Sequence, residues 1–207
     1  MTTEFFVVRI MVNSPWITST RAAMVHVHED PEFKTKWTEP LSPIDIDIDD
    51  ETADTWPDVL GCGGKILGRY VSEHVLRDWD GAGIAYGKVW PAQVAKVVPG
   101  KLKNVPPPNY YWISGHIGAA IDFERSGYRV IGRSSHTGKT YVDHRVSAHR
   151  IVFVEGSWDG SDLFITDFPP TQFYCTRKVV ELAAKMHRTN FRFVPIEEAG
   201  NASHPGI

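Results

Sequence analysis

The stretch DLFITDFPPTQFYCTRKVVELAAKMHRTNFRFVP, residues 162–195, decides how this chain folds. Its pattern predicts a short strand, a turn-rich loop, one amphipathic helix and a closing strand. A shift of 104 positions lays it without a gap over residues 58–91, DVLGCGGKILGRYVSEHVLRDWDGAGIAYGKVWP, so that Asp58 falls on Asp162. A unit that recurs in this way indicates two copies of one supersecondary element.

The sequence predicts one helix in each of the two units. Ser72 in the first unit and Thr176 in the second stand where a hydroxyl caps the first turn, and apolar residues then recur at helical spacing. Pro91 is expected to end the return strand of the first unit. Strand-like segments fill the rest of the chain. We therefore predict an α+β fold, mostly antiparallel sheet, with two repeat-related helices packed on it.

Length and composition describe an ordinary globular protein of 207 residues, 42% apolar and 23% charged. Cys62 and Cys175 form no CxxC pair, which argues against a zinc ribbon and a disulfide scaffold and fits a reducing cytosol. The start lacks a secretory signal, and no apolar run is long enough for a membrane span. These features predict a cytoplasmic protein without a membrane partner.

The proline-rich stretch at residues 101–109 is the best candidate for a boundary between lobes. It would separate an N-terminal lobe, residues 1–100, from a C-terminal lobe, residues 110–207, each with one copy of the unit. One compact domain is the alternative interpretation.

Charge is unevenly distributed along the chain. Residues 29–58 hold eleven acidic residues and two lysines, whereas residues 96–150 hold nine Lys/Arg and three acidic residues. Such asymmetry indicates either a charged partner surface or segments that face each other or solvent. Because the whole chain is acidic and lacks a stacking signature, we do not expect a nucleic-acid partner.

The acidic block contains PIDIDIDD, residues 43–50, in which apolar and acidic residues alternate. As a strand it would turn its isoleucines inward and its carboxylates outward, as an acidic edge or a docking face for a basic protein. The predicted partner-binding residues are Asp45, Asp47, Asp49 and Asp50. The spacing fails as a calcium loop, because position six is not Gly and position twelve is Trp56.

The basic block is rich in histidine, and His136, Asp143, His144 and His149 form the candidate set for a hydrolase or a metal-dependent enzyme. Structural or surface histidines explain the same residues more simply. The segment GRSSHTGKT, residues 132–140, has five residues between its glycines and a strand pattern after it, so it does not match a phosphate-binding loop. We predict no catalytic set, no resident metal and no cofactor.

The closing pattern resembles the C-terminal pattern of a bacterial family of small cytoplasmic proteins linked to polymorphic toxins, which are predicted immunity proteins. The matching residues are Asp162-Leu163-Phe164, Thr176-Arg177, Val179-Val180 and Phe191-Arg192-Phe193. Related proteins are the myxobacterial double-CxxCG paralogues, whose paired cysteines this chain lacks, so their zinc is not carried over. The resemblance implies a non-enzymatic protein that neutralises a cognate toxin by binding it.

Two functions from different classes follow from the sequence. The first is an immunity protein that binds a cognate, possibly basic, toxin, and the acidic residues at 45–50 are its predicted contact. The alternative is a hydrolase or metal-dependent enzyme that uses the histidines of the basic block. The sequence determines neither the identity of the toxin nor the oligomeric state.

Overall fold

The computed structural model describes residues 3–10, 16–28, 35–49, 54–62, 69–98, 100–135, 140–143, 150–166, 168 and 172–199. Within these residues the helices are α1 (Glu73–Gly81), α2 (Phe123–Ser126) and α3 (Arg177–Lys185), and a single 3-10 turn covers Lys101–Asn104. The strands are β1 (Phe5–Ile10), β2 (Trp16–Arg21), β3 (Met24–His28), β4 (Thr35–Pro40), β5 (Ile44–Asp49), β6 (Val59–Cys62), β7 (Arg69–Ser72), β8 (Val89–Val97), β9 (Tyr110–Ile113), β10 (Ile117–Ala119), β11 (Val130–Arg133), β12 (Thr140–Val142), β13 (Leu163–Thr166), β14 (Phe173–Thr176) and β15 (Phe191–Pro195).

Most strands belong to two sheets. Six close into a barrel in the order β2-β5-β8-β9-β7-β6, and five form a sheet in the order β10-β13-β14-β1-β15. β3–β4 and β11–β12 are separate two-stranded ribbons. The neighbours β2 with β6, β5 with β8, and β10 with β13 are parallel, and the other described pairings are antiparallel. The predicted α+β class with mostly antiparallel sheet is confirmed, although a short third helix, α2, joins the two that the sequence predicts.

The elements of residues 58–91 have counterparts 104 positions later. Adding 104 to the bounds of β6, β7 and α1 reproduces the bounds of β13, β14 and α3. The pairings agree as well, because Val59 lies opposite Val71 and Leu163 lies opposite Cys175. The shared origin of the two units stays an interpretation.

Each unit receives a strand from the other half of the chain. β1 pairs with β14 and β15, and β9 pairs with β7 and β8. These two strands occupy equivalent places, since Val8 lies opposite Phe193 and Ile113 lies opposite Val89, 104 positions earlier. Strands on both sides of residues 101–109 therefore share both sheets, which favours the interpretation of one compact domain.

The largest apolar cluster joins the two units. It contains Val75 and Trp79 of α1 together with Val179 of α3 and the inward side chains of β6, β7, β13 and β14. The two helices contact each other. Because one cluster buries residues of both units, separating the units would expose the apolar surface that stabilises each of them.

A second cluster fills the barrel. Ile44, Ile46 and Ile48 are buried on β5, and the ring of Trp112 packs beside that of Trp90 with centroids 5.3 Å apart. The barrel is thus a packed core of side chains, as small barrels are.

The end of the first unit differs from the sequence prediction. Pro91 does not stop a strand, since β8 continues to Val97. The parallel pairing of β8 with β5 starts at Ala92, which lies opposite Ile44. Pro91 precedes this pairing, so the N–H that proline lacks is not needed for its hydrogen bonds.

Candidate functional site

The predicted acidic residues lie on the outer surface of the barrel. Along β5 the isoleucines are buried, and Asp45, Asp47 and Asp49 are partly exposed between them. Successive carboxylates on one face of a strand are about 7 Å apart. We call Asp45, Asp47 and Asp49 the acidic row. Asp50, the fourth predicted residue, lies outside the described residues.

The acidic row is not an edge, which corrects one sequence expectation. β5 pairs with β2 on one side and with β8 on the other. An alternating pattern shows which residues face inward but carries no information about neighbours that lie far away in sequence, so it could not distinguish an edge strand from an inner one. The row is consequently fixed on both sides by backbone hydrogen bonds.

Basic residues flank the acidic row. Arg21 of β2 donates two hydrogen bonds to Asp47, Nη1 to Oδ2 at 2.6 Å and Nη2 to Oδ1 at 3.0 Å, and these bonds raise the pKa of Arg21. Arg21 lies opposite Asp45 in register, and the exposed Lys96 lies opposite Asp47 on β8. The row therefore contains a fixed ion pair at its centre, between Arg21 and Asp47.

A second polar cluster joins the two units at Asp58. Its carboxylate accepts hydrogen bonds from the backbone N–H and hydroxyl of Thr189, at 2.8 and 3.1 Å, and from the Ser72 hydroxyl at 3.4 Å. Arg188 lies between Asp58 and Asp78, and its bond to Asp78 at 2.6 Å raises the pKa of the guanidinium. Every member has a partner within the protein, so we interpret the cluster as a structural contact that connects the two units, and we call such a contact a joint.

Asp162 holds the equivalent joint of the second unit. It accepts hydrogen bonds from the N–H of Ala85 at 3.0 Å, from the Thr176 hydroxyl at 2.7 Å and from Lys178 at 3.3 Å. Thr176 and Ser72 stand at the predicted capping positions, but their hydroxyls bind these aspartates and make no cap hydrogen bond to the helices. Burial raises the pKa of the neighbouring Cys175 thiol, and the Asp162 charge adds to this. The thiol is accordingly a core group in its protonated form.

His116 and Asp159 form a pair that sequence spacing did not indicate, because 43 positions separate them. His116 Nε2 lies 3.2 Å from Asp159 Oδ2, and the Ser161 hydroxyl donates to Asp159 Oδ1 at 2.5 Å. Burial acts to raise the pKa of Asp159, but the bonds from Ser161 and the adjacent His116 outweigh it and lower this pKa. Since the serine donates to the carboxylate and not to the imidazole, the order differs from a nucleophile–base–acid relay.

The histidine set of the alternative function lies mostly outside the described residues, so the site that it would form stays a prediction. Of its members only Asp143 is described: it follows β12, and its N–H donates to the Arg129 carbonyl at 2.8 Å. His136, His144 and His149 lie outside the described residues. In the part of the chain that the structure describes, no three His, Cys, Asp or Glu side chains are grouped to hold a metal ion.

Comparisons with known proteins identify no family for this chain. No protein-family model and no curated protein matches it. Among the described helices none has the length and apolar character required to cross a membrane.

Proposed function

We propose that this protein acts by binding another protein, and that it neutralises a cognate bacterial toxin in this way. The observation that carries the proposal is the acidic row, Asp45, Asp47 and Asp49, displayed on the outside of a closed barrel. The resemblance of residues 162–195 to predicted immunity proteins supports the toxin as the partner class.

The row suits a basic protein surface for a physical reason. The three carboxylates of the row outnumber the two flanking cations, Arg21 and Lys96, and the remaining negative charge would accelerate encounter with a positively charged partner and orient it. Because β5 lies between two paired strands, the carboxylates are held in place before the partner arrives, and little conformational entropy is lost on binding.

Within the row the roles of the carboxylates differ. Asp47 is already paired with Arg21, so a basic partner must either share this carboxylate or displace the arginine. Asp45 and Asp49 flank the pair. Reversing Asp45 and Asp49 leaves the Arg21–Asp47 ion pair in place, so these two positions test the row without removing that pair.

The experiment compares two double variants with equal change in net charge. Asp45→Lys/Asp49→Lys reverses the flanking carboxylates, whereas Glu155→Lys/Glu181→Lys reverses two exposed carboxylates elsewhere. The partner captured by the wild-type protein from native lysate is identified, purified and titrated against each protein by calorimetry. Thermal unfolding of each variant verifies that it is folded.

We expect the Asp45/Asp49 variant to bind at least about tenfold more weakly than wild type, and the Glu155/Glu181 variant to change affinity much less. Added salt should weaken the wild-type complex. Equal affinities for the two double variants would contradict the proposed contact.

A further inference from the structure

The outer edge of β15 is a feature of the molecule that the proposed toxin contact does not use. In the five-stranded sheet β15 is the last strand, and it pairs with β1 on one side. Among the described strands, none pairs with its other side. An open strand edge presents backbone N–H and C=O groups to which another polypeptide can add a strand.

The hydrogen bonds to β1 show which backbone groups of β15 point away from the sheet. The N–H of Ile196 donates to the carbonyl of Phe5 at 3.3 Å, so Ile196 faces β1. Successive residues of a strand point their backbone groups to alternate sides, and the register between β1 and β15 has no shift. Phe191 and Phe193 therefore direct their N–H and C=O groups outward. Pro195 also faces outward but lacks an N–H, so the edge offers two donors.

The two faces of β15 differ in chemistry. On one face the rings of Phe191 and Phe193 stack with centroids 5.5 Å apart, and both residues are partly exposed at the margin of the largest apolar cluster. On the other face Arg192 is exposed and lies directly opposite Arg9 of β1. A strand added at this edge would meet apolar rings on one face and positive charge on the other.

The two arginines determine the charge that suits an added strand. Like charges directly opposite each other on neighbouring strands are unfavourable. Burial and, after it, the charge of Arg192 lower the pKa of Arg9. Glu197 and Glu198 follow the strand, but within the described residues Arg192 makes no ion pair. A carboxylate beside Arg192 would offset the repulsion, and backbone pairing at the edge would hold it there.

The first unit shows that this side of the strand can accept a further strand. β8 is the counterpart of β15, and β9 is the counterpart of β1. On the side away from β9, β8 continues past Pro91 and pairs with β5 from Ala92 onward. β15 instead ends at Pro195, 104 positions after Pro91. Among the described strands, the second unit therefore has no equivalent of β5.

The end of this chain and a second copy both lack the charge that the edge requires. Residues 200–207, GNASHPGI, contain no acidic side chain. Two copies of β15 paired antiparallel about Phe193 would place their Arg192 side chains diagonally on one face, and the Arg9 of each copy would add to the repulsion. An acidic segment of a different protein has the complementary charge.

We infer that the outer edge of β15 is a docking site for an extended segment of another protein in which apolar and acidic residues alternate. The segment adds to the sheet as a strand. Its apolar residues cover Phe191 and Phe193, and one of its acidic residues pairs with Arg192. The inference does not depend on the toxin contact, because that contact lies on β5 in the barrel.

The test uses phage-displayed random peptides about twelve residues long, which is enough for one strand. Peptides selected on the full-length protein are synthesised and titrated by calorimetry against the wild type, Arg192→Glu and the control Arg77→Glu. Arg77 is exposed on α1, and its substitution changes the net charge equally. Amide hydrogen exchange of the wild type, measured by NMR with and without peptide, locates the bound edge. Thermal unfolding verifies that each variant is folded.

We expect the selected peptides to include a class in which apolar and acidic residues alternate. These peptides should bind Arg192→Glu at least about tenfold more weakly than the wild type, and Arg77→Glu within about twofold. They should also slow exchange at the N–H groups of Phe191 and Phe193 at least about tenfold, because these groups gain hydrogen-bond acceptors.

The inference is overturned if no such class is selected, or if its peptides bind Arg192→Glu like the wild type or leave exchange at Phe191 and Phe193 unchanged. Protection of these two N–H groups that rises with the concentration of the free protein would make a second copy the occupant and also overturn it. So would protection in the free protein that is lost in a chain ending at Ala199, because residues 200–207 would then be the occupant. Asp45→Lys/Asp49→Lys tests the toxin contact separately.

Discussion

At the scale of single residues, the joints at Asp58 and Asp162 connect the two units. Each carboxylate accepts a backbone N–H from the loop that follows the helix of the other unit, Thr189 for Asp58 and Ala85 for Asp162. The side chain of Asp58 is 17% exposed, so its loss would leave these donors poorly solvated.

We predict that Asp58→Ala lowers the free energy of unfolding by about 2 kcal/mol, because several charge-assisted hydrogen bonds lose their acceptor together. The measurement is urea unfolding followed by circular dichroism. Asp54→Ala is the control, since Asp54 is paired with Lys101 at an exposed site and should cost less than about 0.5 kcal/mol. Equal losses for both variants would show that Asp58 is not a joint.

The sequence predicted half of this arrangement. Asp58 and Asp162 stood out because one falls on the other when the chain is shifted, and Ser72 and Thr176 do the same. The hydrogen-bond donors Thr189 and Ala85 could not be predicted, because they come from the opposite unit and their spacing from the aspartates follows no local period. The contact between His116 and Asp159 could not be predicted either, because 43 positions separate the two residues.

At the scale of elements, β5 combines two functions on its two faces. Its isoleucines fill the barrel, and its aspartates form the acidic row. The period of two predicted both faces correctly, since it depends only on strand geometry. Its place between β2 and β8 depends on pairing with distant segments, which alternation does not specify.

We predict that Ile46→Ala lowers the free energy of unfolding by about 3 kcal/mol, because Ile46 is fully buried and truncation leaves a cavity. Its neighbour Asp45 is the matched control, and Asp45→Ala should change stability by less than about 1 kcal/mol. Chemical denaturation monitored by tryptophan fluorescence gives both values. If the two variants were destabilised equally, the assignment of inner and outer faces would be wrong.

At the scale of the whole molecule, β1 pairs with strands of the second unit and β9 pairs with strands of the first unit. These pairings determine whether the chain is interpreted as one domain or as two. The sequence placed a boundary at the proline-rich stretch, and composition alone supported this. Pairing across that stretch could not be inferred, because neither β1 nor β9 differs in pattern from a strand that stays in its own half.

We predict that fragments 1–105 and 106–207, produced together as separate chains, associate in a one-to-one complex. Neither fragment should unfold cooperatively alone, since each lacks a strand that the other supplies. Co-purification through a tag on one fragment measures this, and Val7→Asp, which places a charge at a buried position of β1, should abolish it. Two fragments that fold independently and do not associate would instead support two separate domains.

The molecule as a whole offers a closed barrel with the acidic row on its outer surface. A binding protein needs surfaces of this kind, held in place before the partner arrives. The proposed toxin contact therefore lies on the outer surface of the barrel, at the acidic row.

The most direct measurement is the growth of cells that produce the partner captured through the acidic row. The account predicts that the partner alone arrests growth, that the wild-type protein restores it, and that Asp45→Lys/Asp49→Lys fails to do so while Glu155→Lys/Glu181→Lys succeeds. A partner that leaves growth unaffected, or protection that persists after both aspartates are reversed, would contradict it.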